Sequence, residues 1–214
     1  MTIYNDEVSS YIKSLFAQED RALQQVRTDT PKRGLPAIHI TAEEGRFLQF
    51  LVRACGAQKV LEIGTLGGYS GIWIARGLTL NGKLITLEIN PVHAEIAAEH
   101  FALAGVDDRV DIRVGDAHQT LRQLTNEEPF DFIFIDADKT SYPDYFEWAL
   151  EHTRPGAIIA AHNAFGSGAI IGGDIQNQYT ALMGKFNRRL AHESHLISTI
   201  FPAGDGTLVA VKTD

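Results

Sequence analysis

Short apolar runs alternate with stretches of helical spacing along this chain, and several of the runs stop on glycine or on a polar side chain. Lys59 to Ile63 carries Val60, Leu61 and Ile63, which suit a strand buried on both faces. Leu84 to Glu88, Arg109 to Val114, Phe130 to Ile135 and Ala157 to Ala161 read as four more strands. Between them apolar positions return every three or four residues. Ile72, Trp73, Ala75 and Leu78 mark one helix, Ile96, Ala97 and Phe101 a second, Leu121 and Leu124 a third, and Tyr142 to Leu150 a fourth. Strands that alternate with helices predict a parallel sheet. His195 to Phe201 and Thr207 to Lys212 flank Gly204-Asp205-Gly206, which predicts a closing antiparallel hairpin. The expected fold is therefore a single doubly wound α/β domain with a seven-stranded, mostly parallel sheet and a reversed C-terminal hairpin.

Residues 4 to 27 read as one or two helices with Val8, Tyr11, Ile12, Leu15 and Phe16 on an apolar face, broken by Thr30 to Pro36. Thr41 and Glu44 have the spacing of a capping box ahead of Phe47, Leu48, Leu51 and Val52, and Cys55 reads as a buried helical residue. Residues 1–34 are thus expected to form an N-terminal helical segment, a lid or a dimer contact, ahead of the main domain at 35–214. Asn90-Pro91 opens a helix with proline in its first turn. Pro155-Gly156 is read as a turn into the fifth strand, Gly166 to Gly173 as a mobile loop near the active edge, and Ile175 to Leu190 as a helix.

Length and composition narrow the partners. A chain of 214 residues buries one large core and leaves no room for a second independent domain. Its formal charge of −8 and the lack of a basic stripe disfavour nucleic acid. Cys55 is the only cysteine, so an internal disulfide and a thiolate metal cluster are excluded. Neither a signal peptide nor a long apolar span is evident, so a soluble cytoplasmic protein with no membrane partner is expected.

The candidate chemistry gathers at the C-terminal ends of the strands, where ligands bind in open parallel sheets. Val60 to Ser70 runs from a strand through Gly64, Gly67 and Gly68 into a helix, so backbone can turn sharply and approach a ligand. Ser70, near the helix start, can hold a carboxylate with its hydroxyl and the free N–H groups around it. The order G-x-x-G-G is neither a dinucleotide fingerprint nor a phosphate loop. A bare βα turn is the alternative, and Glu88 at the end of the second strand weighs against it, because an acid there grasps a ribose diol. The fourth strand stops at Asp136-Ala137-Asp138-Lys139 and the fifth at His162-Asn163, presenting carboxylate, ammonium, imidazole and amide to one crevice.

VLEIGTLGGYS, LITLEINP, VGDA, FDFIFIDADKTSY, the strand ending in HN and the terminal GDG together resemble the cation-dependent small-molecule O-methyltransferases, the family that contains catechol and caffeoyl-coenzyme A O-methyltransferases. The similarity covers roughly residues 35 to 212. It implies a Rossmann-like methyltransferase domain that binds S-adenosylmethionine, a small hydroxylated aromatic acceptor, and a homodimer. By the same resemblance Glu62, Gly64, Gly67, Gly68, Ser70, Glu88, Asp116, Ala117 and Asp136 contact the methyl donor. Lys139 is the base near the acceptor hydroxyl, and Asp136, His162 and Asn163 stand at the positions that bind a divalent cation.

One position departs from the family, which ends this strand in Asp-Asn where the chain has His162-Asn163. Loss of a carboxylate weakens Mg²⁺, a hard ion that prefers oxygen ligands. His162 is then a ligand for Mn²⁺, Fe²⁺ or Zn²⁺, a base or hydrogen-bond donor in a metal-free site, or a spacer. Lys139 has a plainer alternative as a solvated residue. Of the other histidines, His39 is a candidate acceptor contact, whereas His93, His100, His118, His152 and His192 are expected on the surface. Competing functions are methylation of hydroxyuridine in transfer RNA, silent binding of S-adenosylmethionine, and nicotinamide oxidoreduction.

Overall fold

The computed structural model describes residues 4–125, 127, 129–172 and 178–214. The N-terminal layer consists of α1 (Asp6–Phe16), α2 (Arg21–Lys32) and α3 (Ala42–Ala54). There follow β1 (Lys59–Ile63), α4 (Tyr69–Gly77), β2 (Lys83–Glu88), α5 (Pro91–Leu103), β3 (Val110–Val114), α6 (Ala117–Leu124), β4 (Phe130–Ile135), α7 (Tyr142–His152) and β5 (Thr153–Ala161). The chain closes with a short α8 (Ala169–Gly172), α9 (Gln178–Ala191), β6 (Leu196–Phe201) and β7 (Thr207–Lys212). The sheet order is β3-β2-β1-β4-β5-β7-β6, parallel through β5, with β7 antiparallel to both β5 and β6. This is the expected doubly wound sheet with its reversed hairpin.

Alternation along the strands splits the core into two layers. Val60 points into the layer shared with Trp73, Leu48 and Phe101, while Leu61 and Ile63 point into the one shared with Phe130, Tyr142 and Phe186. Leu23 and Val26 of α2 are fully buried in the first layer, so the N-terminal segment shares the main core rather than having one of its own. Helix α1, by contrast, has no buried residue. Among the described residues no helix is long and apolar enough to cross a membrane.

Three boundaries depart from expectation. Helix α2 runs through Pro31 to Lys32 instead of breaking at Thr30. Gly34, at φ 84°, ends it, because Leu35 N–H reaches Thr30 O at 3.0 Å and Gly34 N–H reaches Pro31 O at 3.2 Å. Pro155-Gly156 lies inside β5 as an irregularity, since the register passes from Phe130↔Thr153 to Phe132↔Ile158. Part of the glycine-rich stretch read as mobile is the helix α8, and the remainder, with the predicted helix start at Ile175, lies outside the described residues. The capping box is present, with Thr41 N–H to Glu44 Oε2 at 2.8 Å and Glu44 N–H to Thr41 Oγ1 at 3.3 Å. Cys55 is its C-cap and only half-buried.

Candidate active site

The C-terminal ends of β1, β2, β4 and β5 open into one cavity of about 1140 Å³. Gly64 makes the turn out of β1 possible. It sits at φ 103°, and a Cβ there would lie 2.2 Å from the Asp136 carbonyl oxygen. Gly67 faces Thr30 of α2 less tightly, with 2.7 Å between a built Cβ and Thr30 Oγ1. Gly68 caps α4 in the left-handed region and has no side chain for the first-turn N–H groups. It packs against Phe101 and does not line the cavity, so its part in the site is to shape the turn.

Glu88 is 7% exposed and lines the cavity from the end of β2. Each of its oxygens accepts one backbone N–H, Oε2 from Leu66 at 2.8 Å and Oε1 from Asn90 at 3.0 Å. A carboxylate offers about four lone-pair sites, so acceptor capacity remains for a pair of hydroxyls. Asp116, the N-cap of α6, and Ala117 lie beside it on the cavity wall.

Two expected donor contacts are corrected. Glu62 is fully buried and does not line the cavity, because strand alternation turns it under the floor. There it accepts from Ser70 Oγ and Thr86 Oγ1, both at 2.6 Å, and burial pushes its carboxyl up to about 7. Ser70 lines the cavity, but its hydroxyl proton is committed to Glu62. What α4 can give a ligand carboxylate is therefore its uncapped backbone N–H groups.

On the other side of the cavity, four charged side chains stand in a row. Glu44 Oε1 lies 3.0 Å from His162 Nε2, and His162 Nδ1 lies 3.3 Å from Asp136 Oδ2. Lys139 Nζ donates to Asp136 Oδ1 at 3.0 Å and to the Tyr142 hydroxyl at 2.5 Å. Burial alone would push the His162 ring down and Asp136 up. The opposite charges outweigh it, holding His162 at about 10 and Asp136 at about 2. The Nε2 contact to Glu44 lies off the N–H axis and is an ion pair, not an aligned hydrogen bond. Tyr142, fully buried, donates to Ile135 O at 3.1 Å and so ties Lys139 to the end of β4. Lys139 is thus a held ammonium at the cavity wall and not a solvated side chain.

The arrangement does not suit a divalent cation. Both oxygens of Asp136 face cationic nitrogens, and both nitrogens of His162 face carboxylates. Asn163, at φ 62°, gives its amide N–H to Asp205 Oδ2 at 2.8 Å. Among the described residues no group of three or more His, Cys, Asp or Glu side chains surrounds a point that a metal could occupy.

Four residues belong to the site that sequence reasoning missed or misplaced. Glu44 read only as half of a capping box, and Tyr142 only as the start of a helix. His93 and His118 line the cavity. His100, also expected on the surface, is 2% exposed, with Nδ1 2.8 Å from Gly67 O beneath the glycine turn. His39 does line the cavity, as its position suggested, with Nε2 3.1 Å from Thr30 Oγ1.

Known proteins share this fold. The model of the family described as O-methyltransferase matches residues 13–213. The catechol O-methyltransferase of Niastella koreensis is 43% identical over 199 residues, covering 91% of this chain and 89% of its own. Among solved structures, the O-methyltransferase from Bacillus cereus in complex with SAH superposes with a TM-score of 0.88 at 40% identity, covering 97% of both chains. The O-methyltransferase TomG from Streptomyces achromogenes, in complex with SAM, has a TM-score of 0.86 at 37% identity and covers 97% of this chain and 96% of its own. A family model that spans residues 13–213 and a relative 43% identical over 91% of this chain, on this strand order, place the chain in the O-methyltransferase family.

Proposed function

We propose that this chain transfers the methyl group of S-adenosylmethionine to a hydroxyl oxygen of a small aromatic acceptor, catechol-like or phenolic. The observation that carries the reading is a single cavity with Glu88 and the uncapped start of α4 at one end and Lys139 at the other. S-adenosylmethionine, when bound, supplies a methyl already activated on a sulfonium and departs as S-adenosylhomocysteine. The chain's own task is to align the acceptor oxygen with the S–CH₃ bond and to favour its ionised form.

Glu88 takes the ribose hydroxyls, and the first-turn N–H groups of α4 take the carboxylate. Asp116 and Ala117 line the adenine side. A phenol ionises near pH 10, so a fixed positive charge beside it is needed near neutrality. Lys139 provides that charge, with Asp136 and Tyr142 fixing its position. His162 is surrounded by carboxylates and acts as a cation in the wall, leaving Lys139 as the group at the acceptor hydroxyl. The hydroxyl proton is lost to solvent as the Lys139 ammonium stabilises the phenolate, and as the C–O bond forms the S–C electron pair returns to sulfur. Ile38, His39, Tyr179 and Leu182 form the apolar surround for the acceptor ring.

The test is turnover of S-adenosylmethionine with catechol and a panel of monophenols, followed by mass spectrometry of the methylated product. Lys139→Ala is expected to lower kcat by roughly 10²–10⁴-fold while calorimetric affinity for S-adenosylhomocysteine stays unchanged. Absence of any affinity for S-adenosylhomocysteine would refute the reading.

A further inference from the structure

His162 is clamped far more tightly than a methyltransferase wall requires. Glu44, which holds its Nε2 side, is 1% exposed and is itself held by Thr41 N–H at 2.8 Å and the Thr207 hydroxyl at 3.3 Å. Gly204 closes the remaining side, for a Cβ there would lie 2.2 Å from Glu44 Oε2. The carboxylate therefore cannot swing away. Asp136 meets the other face of the ring, and Lys139 pins Asp136 from beyond.

An imidazole binds a metal through a nitrogen lone pair. Both ring nitrogens of His162 face carboxylates that other contacts hold in place, Nε2 at 3.0 Å from Glu44 and Nδ1 at 3.3 Å from Asp136, so neither is free to take an ion. Asp136, between two cationic nitrogens, is already neutralised. Asn163, the third residue at this position, is itself engaged, giving its amide N–H to Asp205 Oδ2 at 2.8 Å.

We propose that the His162 side chain occupies the place of the divalent ion that the family resemblance implies, that Glu44 is the positioning residue holding it there, and that methyl transfer by this chain is metal-independent. Only the last of these clauses rests on the methyltransferase reading. Glu44 reaches the site from α3, which packs against the β6–β7 hairpin, and no catalytic motif marks it. Its residue type serves two tasks at once, capping α3 with one oxygen and pairing His162 with the other.

The experiment measures Mn²⁺ binding by electron paramagnetic resonance on the protein saturated with S-adenosylhomocysteine and without acceptor. The wild-type chain is expected to leave the free-ion signal unchanged and, in a separate assay, to keep its turnover in EDTA. His162→Asp, which puts a carboxylate in place of the ring, is expected to bind Mn²⁺ about 10- to 100-fold more tightly than wild type. A wild-type chain that binds one Mn²⁺, or that loses turnover to EDTA and regains it with a divalent ion, overturns the proposal. This holds even if His162→Asp does not fold.

Glu44→Gln keeps the capping geometry, since glutamine also serves at that position, and removes only the charge. It is expected to lower kcat about tenfold with the KM for S-adenosylmethionine unchanged. A wild-type kcat in this variant removes Glu44 from its positioning role. Since metal binding is read without turnover, lack of activity on every acceptor counts against the functional reading alone, and Mn²⁺ uptake by wild type counts against this inference alone.

Discussion

His39 lies against Tyr69, with ring centroids 5.6 Å apart, and its Nε2 donates to Thr30 Oγ1, whose own proton goes to Val26 O. Burial, and then the Arg27 charge, hold its pKa down at about 4. The ring is therefore neutral in the folded chain above that value. Between about pH 4 and the ordinary 6.5 the unfolded chain takes up a proton that the folded one refuses, so stability is full above this window and is lost as pH falls through it. The urea midpoint is expected to be lower at pH 5 than at pH 7, with the difference reduced in His39→Gln. At this scale the sequence was readable where polarity changed abruptly. Asp136, Lys139 and Asn163 stood out because each follows an apolar strand. Glu44 did not, because a glutamate three residues after a threonine already has a sufficient local explanation. His100 was misread for the same reason. A histidine inside a helix gives no sign that its side chain will lie beneath a glycine turn.

The turn between β1 and α4 is the element on which the donor side of the cavity depends. Gly64→Ala would press a methyl onto the Asp136 carbonyl in a conformation that alanine rarely adopts. It is expected to destabilise the fold by about 3 kcal/mol and to abolish S-adenosylhomocysteine binding, measured by urea unfolding and calorimetry. The turn itself was legible, since three glycines in five positions after a strand have few other uses. Its hydrogen bonding was not. Ser70 was expected to face the ligand with its hydroxyl, and the buried Glu62 next to it claimed the proton first. Proline was over-read as a stop signal. Pro31 is accommodated in the last turn of α2, and Pro155 lies in an irregular stretch of β5 where it disturbs no regular register.

For the whole molecule, a ligand that fills a cavity shared by four strand ends should stabilise the fold as a unit. S-adenosylhomocysteine at a hundred times its dissociation constant is expected to add about 2.7 kcal/mol. For a chain of this size that is a rise in Tm of roughly 5–11 °C. In Glu88→Ala at the same ligand concentration the rise should largely disappear, and differential scanning fluorimetry reads both. The parallel sheet followed from alternation of strands and helices, and the reversed hairpin from its glycine turn, because buried parallel strands and tight turns each demand a narrow set of residues over short range. Those demands are local, so the sequence alone determined the elements, the sheet and the edge at which polar groups collect. Only the tertiary structure decided which of those groups face one another. Glu44 meets His162 by the packing of α3, and Asp136 meets it across the ends of β4 and β5, and the charge carried by a side chain depends on such neighbours, which no spacing along the chain encodes.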